Sequence, residues 1–543
     1  MSRVQSLVDL LDERALAAGS EPFLECGTST RTFDQLAQRS RQLAGGILGL
    51  GVARGDRIAI LLDNCVEFVE TIFACQRLGL VAVPLNIYLR GAFLKYQLED
   101  SGAVLVVTDA QGLGTIAELG PGSWDKTSVV VDGAASGEKM YGYSDLLDAP
   151  AFEGDSCVRQ SDVAAILYTS GTTGNPKGCV VPHGQFVQNA PEFLQDAGYI
   201  LAGDFVLSPA LMFHAGFLVA VLPTALTVGA RLHVVQRFHA SRFMETARDL
   251  GATVIYGLGP NGMLMLAQPP SPSDAAPHQL RLAVMPPMPP ASQLEFERRF
   301  GVRVLCECYG QTEFIVISAA SVQSEPQRGS AGQPIAGVEV AIVDEDELPV
   351  DPEQIGEIVI RPRRPYMMFQ GYWNADRATV ASSTNLWHHT GDLGRLSRDG
   401  TLWLVDRKQD SMRRRGENVS SQQLEGAIGQ HPAVREVAVH AVPGDFSDDE
   451  IKACIVLRSE ESVEISELFE YFKRSLPYFA IPRYIEILDS LPINAIGRVQ
   501  KHLLRDRGIT DNTIDLDSQG MRVSREERRA PPVRRSQKGS DTQ

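Results

Sequence analysis

Eleven residues, Tyr168 to Gly178, read YTSGTTGNPKG and gather five hydroxyl side chains, three glycines and one lysine. They follow the apolar run VAAILY at 163–168, the pattern of a buried strand ending in a ligand-facing loop. Glycine lets a backbone approach an anion closely, loop N–H groups and hydroxyls donate to it, and Lys177 adds a positive charge. The chemistry that suits is polyphosphate binding. A P-loop would need G-x-x-x-x-G-K-[ST], but Pro176 precedes Lys177 and Gly178 follows it, so no hydroxyl stands ready for a metal in that register. A surface turn without function is the plainer alternative for so polar a string.

The whole string resembles the phosphate-binding signature of the AMP-forming adenylating superfamily, which holds acyl-CoA synthetases, peptide-synthetase adenylation domains and luciferases. The resemblance implies that Thr169, Ser170, Gly171, Thr172, Thr173 and Lys177 contact the nucleotide. VRVLCECYGQTE at 302–313 is similar to the family's Tyr-Gly-x-Thr-Glu signature. There it implies that Tyr309 packs on adenine, Thr312 reaches the α-phosphate and Glu313 holds Mg²⁺, an ion that takes one or two carboxylates beside phosphate oxygens. In WHHTGDLGRLSRDGTLWLVDRKQD the resemblance implies that Asp392 accepts from both ribose hydroxyls, with Arg407 assisting. An ionised carboxylate is acceptor-only and suits that task.

SPALMFHAGF at 208–217 resembles the stretch whose aromatic residue or histidine closes over the acyl pocket and moves to admit a thiol, a role that falls on His214. Where the family usually carries a Gly-Gly-Ala turn, this chain has MPPMPPASQL at 285–294, with Pro286, Pro287, Pro289 and Pro290. Proline fixes φ and removes a donor, so a reshaped pocket wall is expected. RRGENVSS, followed by Leu424 and Glu425, resembles the loop of medium-chain and carnitine-type acyl-CoA ligases that lines the pantetheine tunnel during thioester formation. That resemblance implies Gly416 beside the pantetheine arm and Arg413, Arg414 and Arg415 near CoA phosphates; a solvated basic cluster is the equal alternative.

One departure stands out. Near its end the family has a Pro-x-x-x-x-Gly-Lys turn whose lysine bridges the substrate carboxylate and the α-phosphate during adenylation. This chain reads LPINAIGRVQK, with Arg498 in the lysine's place and Lys501 at a separate basic position. Arginine is planar, longer and forked, so the exchange is not conservative at a site fitted to a compact ammonium. Two readings stay open: a ligase in which Arg498 still serves adenylation, and one impaired in adenylation that still carries a supplied acyl-AMP to CoA. A non-catalytic nucleotide or acyl-adenylate binding protein is the alternative from another class.

These residues need a scaffold of more than one unit, since 543 residues with 44% hydrophobic content exceed one ordinary core. From about 6 to 110, helical and strand patterns alternate (RTFDQLAQRSRQLAGGILGL, GDRIAILL, NCVEFVETIFACQRLGL), the mark of an α/β domain with a largely parallel sheet. The stretch from 110 to 160 is rich in Gly, Asp and Ser and reads as surface connection. ARLHVV, ATVIYGL and LRLAVM read as strands, and GSAGQPIAGVEVAIVD with GEIVIRPRRP as an antiparallel subdomain. With the resemblance, the expected fold is α/β: a large multi-subdomain N-terminal adenylate-forming domain over 1–407, a hinge at 408–410, a small mobile α+β domain over 411–508 and a disordered tail over 509–543.

A net charge of −16 argues against nucleic acid as a bulk partner, and no apolar run reaches the length of a membrane span. Eight scattered cysteines in apolar surroundings read as reduced thiols of a cytoplasmic protein, with no zinc set. The expected cofactors are ATP or acyl-AMP, Mg²⁺ and coenzyme A, and the expected partners a small-molecule carboxylic acid and CoA. A homodimer is left open.

Overall fold

The computed structural model describes residues 4–132, 137–169, 176–344, 346–407, 411–414, 417–444, 449–458, 463–492, 499 and 501–523. Two seven-stranded sheets carry the large domain. The first runs, edge to edge, Met140–Gly142, Thr127–Val131, Leu105–Asp109, Arg57–Leu61, Val81–Pro84, Val163–Thr169 and Lys177–Pro182. All neighbours in it are parallel except the last pair. The second runs Val304–Leu305, Leu282–Val284, Val254–Tyr256, Phe205–Ser208, Arg231–Val234, Pro22–Cys26 and Ser29–Thr32, parallel up to its closing hairpin. Strands buried on both faces need continuous apolar runs, and VAAIL, RIAIL and LAV supply them.

Helix Val66–Leu78 shows the same logic, for eleven of its thirteen residues are buried. It ends at Gly79, whose φ of 65° is a left-handed cap. Among its buried residues is Glu70, fully buried, which accepts from Arg31 Nε at 2.6 Å, Arg39 Nε at 2.5 Å and Tyr143 Oη at 2.7 Å. Such a carboxylate is tolerated only because every partner is in place, and removing one costs about 3–5 kcal/mol. The first helix, Leu7–Ala18, opens with a capping box in which Ser6 Oγ accepts from Asp9 N and Asp9 Oδ2 accepts from Ser6 N at 3.1 Å.

The stretch from 110 to 160 is more than a surface connection. Helix Ala110–Ala117, strands Thr127–Val131 and Met140–Gly142 and helix Tyr143–Leu147 extend the first sheet, because TSVVV buries four of its five residues at that edge. A four-stranded antiparallel sheet follows, Val338–Val343, Gly356–Pro362, His388–Leu396 and Leu402–Arg407.

Residues 408–410, expected as a hinge, lie outside the described residues. Beyond them come hairpin Ser411–Arg414/Glu417–Ser420, helices Ser421–Ile428, Ile465–Ser475 and Lys501–Arg507, and a sheet of Val434–Pro443, Asp449–Leu457, Tyr484–Ile487 and Ile514–Asp515. The last strand corrects the expected tail. Residues 509–523 fold back on the small domain, with Leu516 buried and Ile514 paired to Ile485, because TIDL carries two apolar residues at strand spacing; 524–543 lie outside the described residues. Among the described residues no helix is long and apolar enough to cross a membrane.

Candidate active site

Strands Val163–Thr169 and Lys177–Pro182 pair antiparallel, with Thr169 opposite Lys177 and Tyr168 opposite Gly178, so both arms of the Gly/Thr-rich loop are fixed. Ser170, Gly171, Thr172 and Thr173 lie outside the described residues. Tyr168 does not serve the loop: its hydroxyl donates to Asp100 Oδ2 at 2.6 Å, and burial with that carboxylate raises its pKa. Lys177 Nζ stands 5.0 Å above the ring of Tyr372, and the Tyr372 hydroxyl donates to Glu313 Oε1 at 2.7 Å. The lysine and the glutamate predicted for one site are thus joined by a tyrosine. Only its place in GYW, directly after a glycine, hinted at it in the sequence.

The Tyr309–Glu313 stretch turns sharply. A Cβ at Gly310 would lie 1.9 Å from the carbonyl of Ile315, so only glycine fits there. Tyr309 donates its hydroxyl to Asp392 Oδ2 at 2.7 Å, and Gln311 Nε2 donates to the same oxygen at 2.8 Å and to Thr390 O at 2.9 Å. Asp392 is buried. The structure therefore brings Tyr309 and Asp392 together. It also adds Gln311, which fell on the unspecified position of the signature and carried no signal. Arg407 pairs with Asp392 in strand register, which places the two residues side by side. Thr312 accepts at its carbonyl from Gln185 Nε2 at 3.0 Å and lines the cleft described below.

His214 is held from behind. Asn64, buried, donates through Nδ2 to Ala210 O at 2.9 Å and Val235 O at 3.0 Å and accepts at Oδ1 from Met212 N at 2.8 Å, fixing the segment that leads to it. A π-turn, Gly216–Val221, follows, and a Cβ at Gly216 would meet open space. His214 Nε2 lies 3.1 Å from Oε1 of Glu417, a small-domain residue.

Between the two domains runs a cleft of about 160 Å³, lined by Phe93, Thr169, His214 and Thr312 on one side and Glu417, Val419 and Phe479 on the other. Beside it Tyr88 meets Tyr478 edge to face at 4.6 Å. Gly416, Arg415 and Arg498 lie outside the described residues, as does the side chain of Arg413.

Arg414 corrects the expected CoA contact. It is buried, pairs with Glu450 at 2.7 Å and donates to the carbonyl of Ile481, so its guanidinium braces the small domain instead of facing a phosphate. Lys501 is likewise committed, to Ser421 Oγ and Glu425 Oε1, both at 2.7 Å. The proline stretch leads straight into helix Pro290–Phe300; Gly259 N donates to Pro286 O at 3.0 Å, and a Cβ at Gly259 would lie 1.5 Å from the Pro287 carbonyl. No disulfide joins the described cysteines, and burial pushes Cys26 and Cys75 up to about 12.

The family model "AMP-binding enzyme" matches residues 11–373, and "AMP-binding enzyme C-terminal domain" matches 423–498. Crotonobetaine/carnitine–CoA ligase of Salmonella typhimurium is 29% identical over 523 residues, covering 92% of this chain and 99% of that protein. Among solved structures, a double mutant of o-succinylbenzoate CoA synthetase of Bacillus subtilis bound with the product analogue OSB-NCoA aligns with a TM-score of 0.78 at 28% identity, over 92% of this chain and 98% of that one. The same enzyme in complex with AMP gives 0.65 at 28% identity, over 92% and 99%. An amide bond synthetase of Marinactinospora thermotolerans shares the fold at a TM-score of 0.79 and 22% identity, over 92% and 99%. A match over residues 11–373, joined to the paired arms of the phosphate loop and the Tyr309–Asp392 contact, identifies this chain as a member of the AMP-binding enzyme family, within the AMP-forming adenylating superfamily.

Proposed function

We propose that the protein is an AMP-forming acyl-CoA synthetase, an acid–thiol ligase joining a small carboxylic acid to CoA through an acyl-adenylate. The observation that carries this reading is the interdomain cleft, which runs from Thr169 and Thr312 past the His214–Glu417 contact to Phe93 and Phe479. A narrow passage ending at a nucleotide site suits a long thiol arm. The better alignment to the product-analogue complex, 0.78 against 0.65 for the AMP complex, supports a small domain set for thioester formation.

In the first half-reaction a carboxylate oxygen attacks the α-phosphorus of ATP and pyrophosphate leaves. Lys177 and the loop hydroxyls bind the phosphates, Thr312 reaches the α-phosphate, and Asp392, held by Tyr309 and Gln311, accepts from the ribose. A carboxylate with about four acceptor positions takes both sets of donors. Magnesium fits the donors present. Glu313 is a single carboxylate beside the phosphate loop, and no group of three or more His, Cys, Asp or Glu among the described residues forms a dedicated cage. When bound, the ion stabilises the charge of the departing pyrophosphate.

In the second half-reaction the CoA sulfur forms a bond to the acyl carbon, the bond to the AMP oxygen breaks, and the thiol proton is lost. No side chain is a covalent nucleophile, so the enzyme works by positioning and charge stabilisation. His214, drawn toward Glu417, leaves the acyl carbon open to the thiol. Arg498 belongs to the other half-reaction. Removing a fitted donor costs about 10²–10³ in rate in comparable cases, and a forked guanidinium replaces a compact ammonium poorly, so in this reading adenylation is the slow half. No observation favours the non-catalytic reading.

A panel of carboxylic acids with ATP and CoA, run beside synthetic acyl-adenylates with CoA, tests the assignment. Matching amounts of AMP and thioester from at least the adenylates are expected. Nucleotide binding with no thioester from either arm would overturn it.

A further inference from the structure

Lys177 and Glu313 carry opposite charges at one site, yet neither pairs with the other among the described residues; each is turned to Tyr372 instead. The ring face takes the ammonium at 5.0 Å and the hydroxyl donates to Oε1 of the carboxylate at 2.7 Å. An ammonium and a carboxylate in one small site attract strongly, and direct pairing would occupy the groups that phosphate and metal need. We infer that Tyr372 is a positioning residue that keeps Lys177 and Glu313 apart and aims the carboxylate at the metal, an inference that rests on the adenylate-forming reading above.

The backbone around it is built for that task. Gln370 N donates to Val180 O at 2.8 Å, Val180 N to Gly371 O at 3.0 Å and Trp373 N to Gly178 O at 2.7 Å, so the segment lies along the phosphate-loop strand with Tyr372 bridged to Cys179. Its other side reaches the signature turn, where Phe369 N donates to Glu313 O at 2.8 Å. Gly371, at φ 119°, makes the bend between the two contacts and is confined to glycine there. The ring is set by Phe369, edge-on at 4.9 Å, and Tyr372 N is capped by Thr379 Oγ1 at 2.9 Å. Tyr372 thus touches the loop strand, the signature turn, the lysine and the glutamate at once. Groups that hydrogen-bond a metal-binding carboxylate tune its affinity, and losing one typically costs about 10–100-fold in metal affinity or activity.

Tyr372→Phe removes only the hydroxyl, whereas Tyr372→Leu also removes the cation-binding face. Binding of Mn²⁺ in the presence of ATP, read from the free-ion paramagnetic resonance signal, and binding of ATP in EDTA, read by calorimetry, separate the two contributions without turnover. Tyr372→Phe is expected to weaken Mn²⁺·ATP about tenfold while metal-free ATP stays within about twofold, and Tyr372→Leu to weaken both about tenfold. Adding Glu313→Gln to Tyr372→Leu should return metal-free ATP binding toward the unmodified level, because the competing carboxylate charge is gone. In Tyr372→Phe, unchanged Mn²⁺·ATP affinity, or equal losses with and without metal, would overturn the inference. Failure of the unmodified protein to bind ATP in either form would instead refute the adenylate-forming reading beneath it.

Discussion

The two sides of the cleft are built differently. On the side we assign to phosphate and ribose, contacts close within the large domain: Tyr309 and Gln311 on Asp392, Tyr372 on Glu313 and Lys177, Gly310 under Ile315. On the side we assign to the thiol the pieces belong to different domains and meet across the boundary, His214 with Glu417 at 3.1 Å and Tyr88 with Tyr478 at 4.6 Å. A preassembled nucleotide site suits a ligand that stays through both steps. A site completed across a boundary suits a thiol that must enter late. Chemistry that depends on the first side should therefore separate cleanly from chemistry that depends on the second.

The largest effect expected from breaking one side alone is that of Glu313→Gln. In an Arg498→Lys background, where pyrophosphate exchange should be strongest, it should lower exchange about 10²–10³-fold and thioester formation from supplied acyl-AMP less than about tenfold. Equal losses would erase the distinction. Next comes His183, fully buried at the start of helix His183–Gln188 just behind the phosphate-loop strand, where burial lowers its pKa from 6.5 to about 4. The unfolded chain binds the proton at higher pH than the folded one, so stability should be lost as pH falls from 6.5 toward 4, by about 3 kcal/mol in full. Denaturant midpoints across that window should fall less steeply for His183→Gln than for the unmodified protein; parallel slopes would contradict the assignment.

Asp392→Asn should weaken AMP binding by roughly tens of fold, since it removes a charged acceptor worth about 1.5–3 kcal/mol, and calorimetry would register it. The smallest effect belongs to the thiol side. Tyr478→Ala loses an aromatic pair worth about 0.5–1.5 kcal/mol and should raise KM for CoA a fewfold with AMP affinity unchanged. A fall in AMP affinity would mean that the two sides are coupled more tightly than their contacts suggest.

The elements of the proposed nucleotide side were legible because they sit in contiguous strings: VAAILY before a Gly/Thr loop, YGQTE after a short strand, and TGD opposite Arg407 in register. What escaped were the side-chain contacts that complete the site. Gln311, Asn64 and Tyr372 act through contacts that no local pattern announces, since Asn64 reaches the Ala210 carbonyl 146 residues on and Tyr372 reaches Glu313 across 59. Arg414 was misjudged for a related reason. A run of three arginines looks like a solvated cluster, but strand alternation turns one of them inward to Glu450. The edge strand Thr127–Val131 and the closing strand Ile514–Asp515 were hidden by polar neighbours and by shortness, because two to five residues carry too little period to read.

The central claim, that the two half-reactions use separable parts of this molecule and that Arg498 burdens only the first, is tested most directly on one preparation with one matched acid. Acid-dependent ATP–pyrophosphate exchange and conversion of the synthetic acyl-AMP to acyl-CoA are measured side by side, for the unmodified protein and for Arg498→Ala. The account predicts weak exchange, ready thioester formation, and thioester formation within about twofold in the variant, because the residue lost acts on a step already passed. Robust exchange by the unmodified protein, or loss of thioester formation in Arg498→Ala, would contradict it.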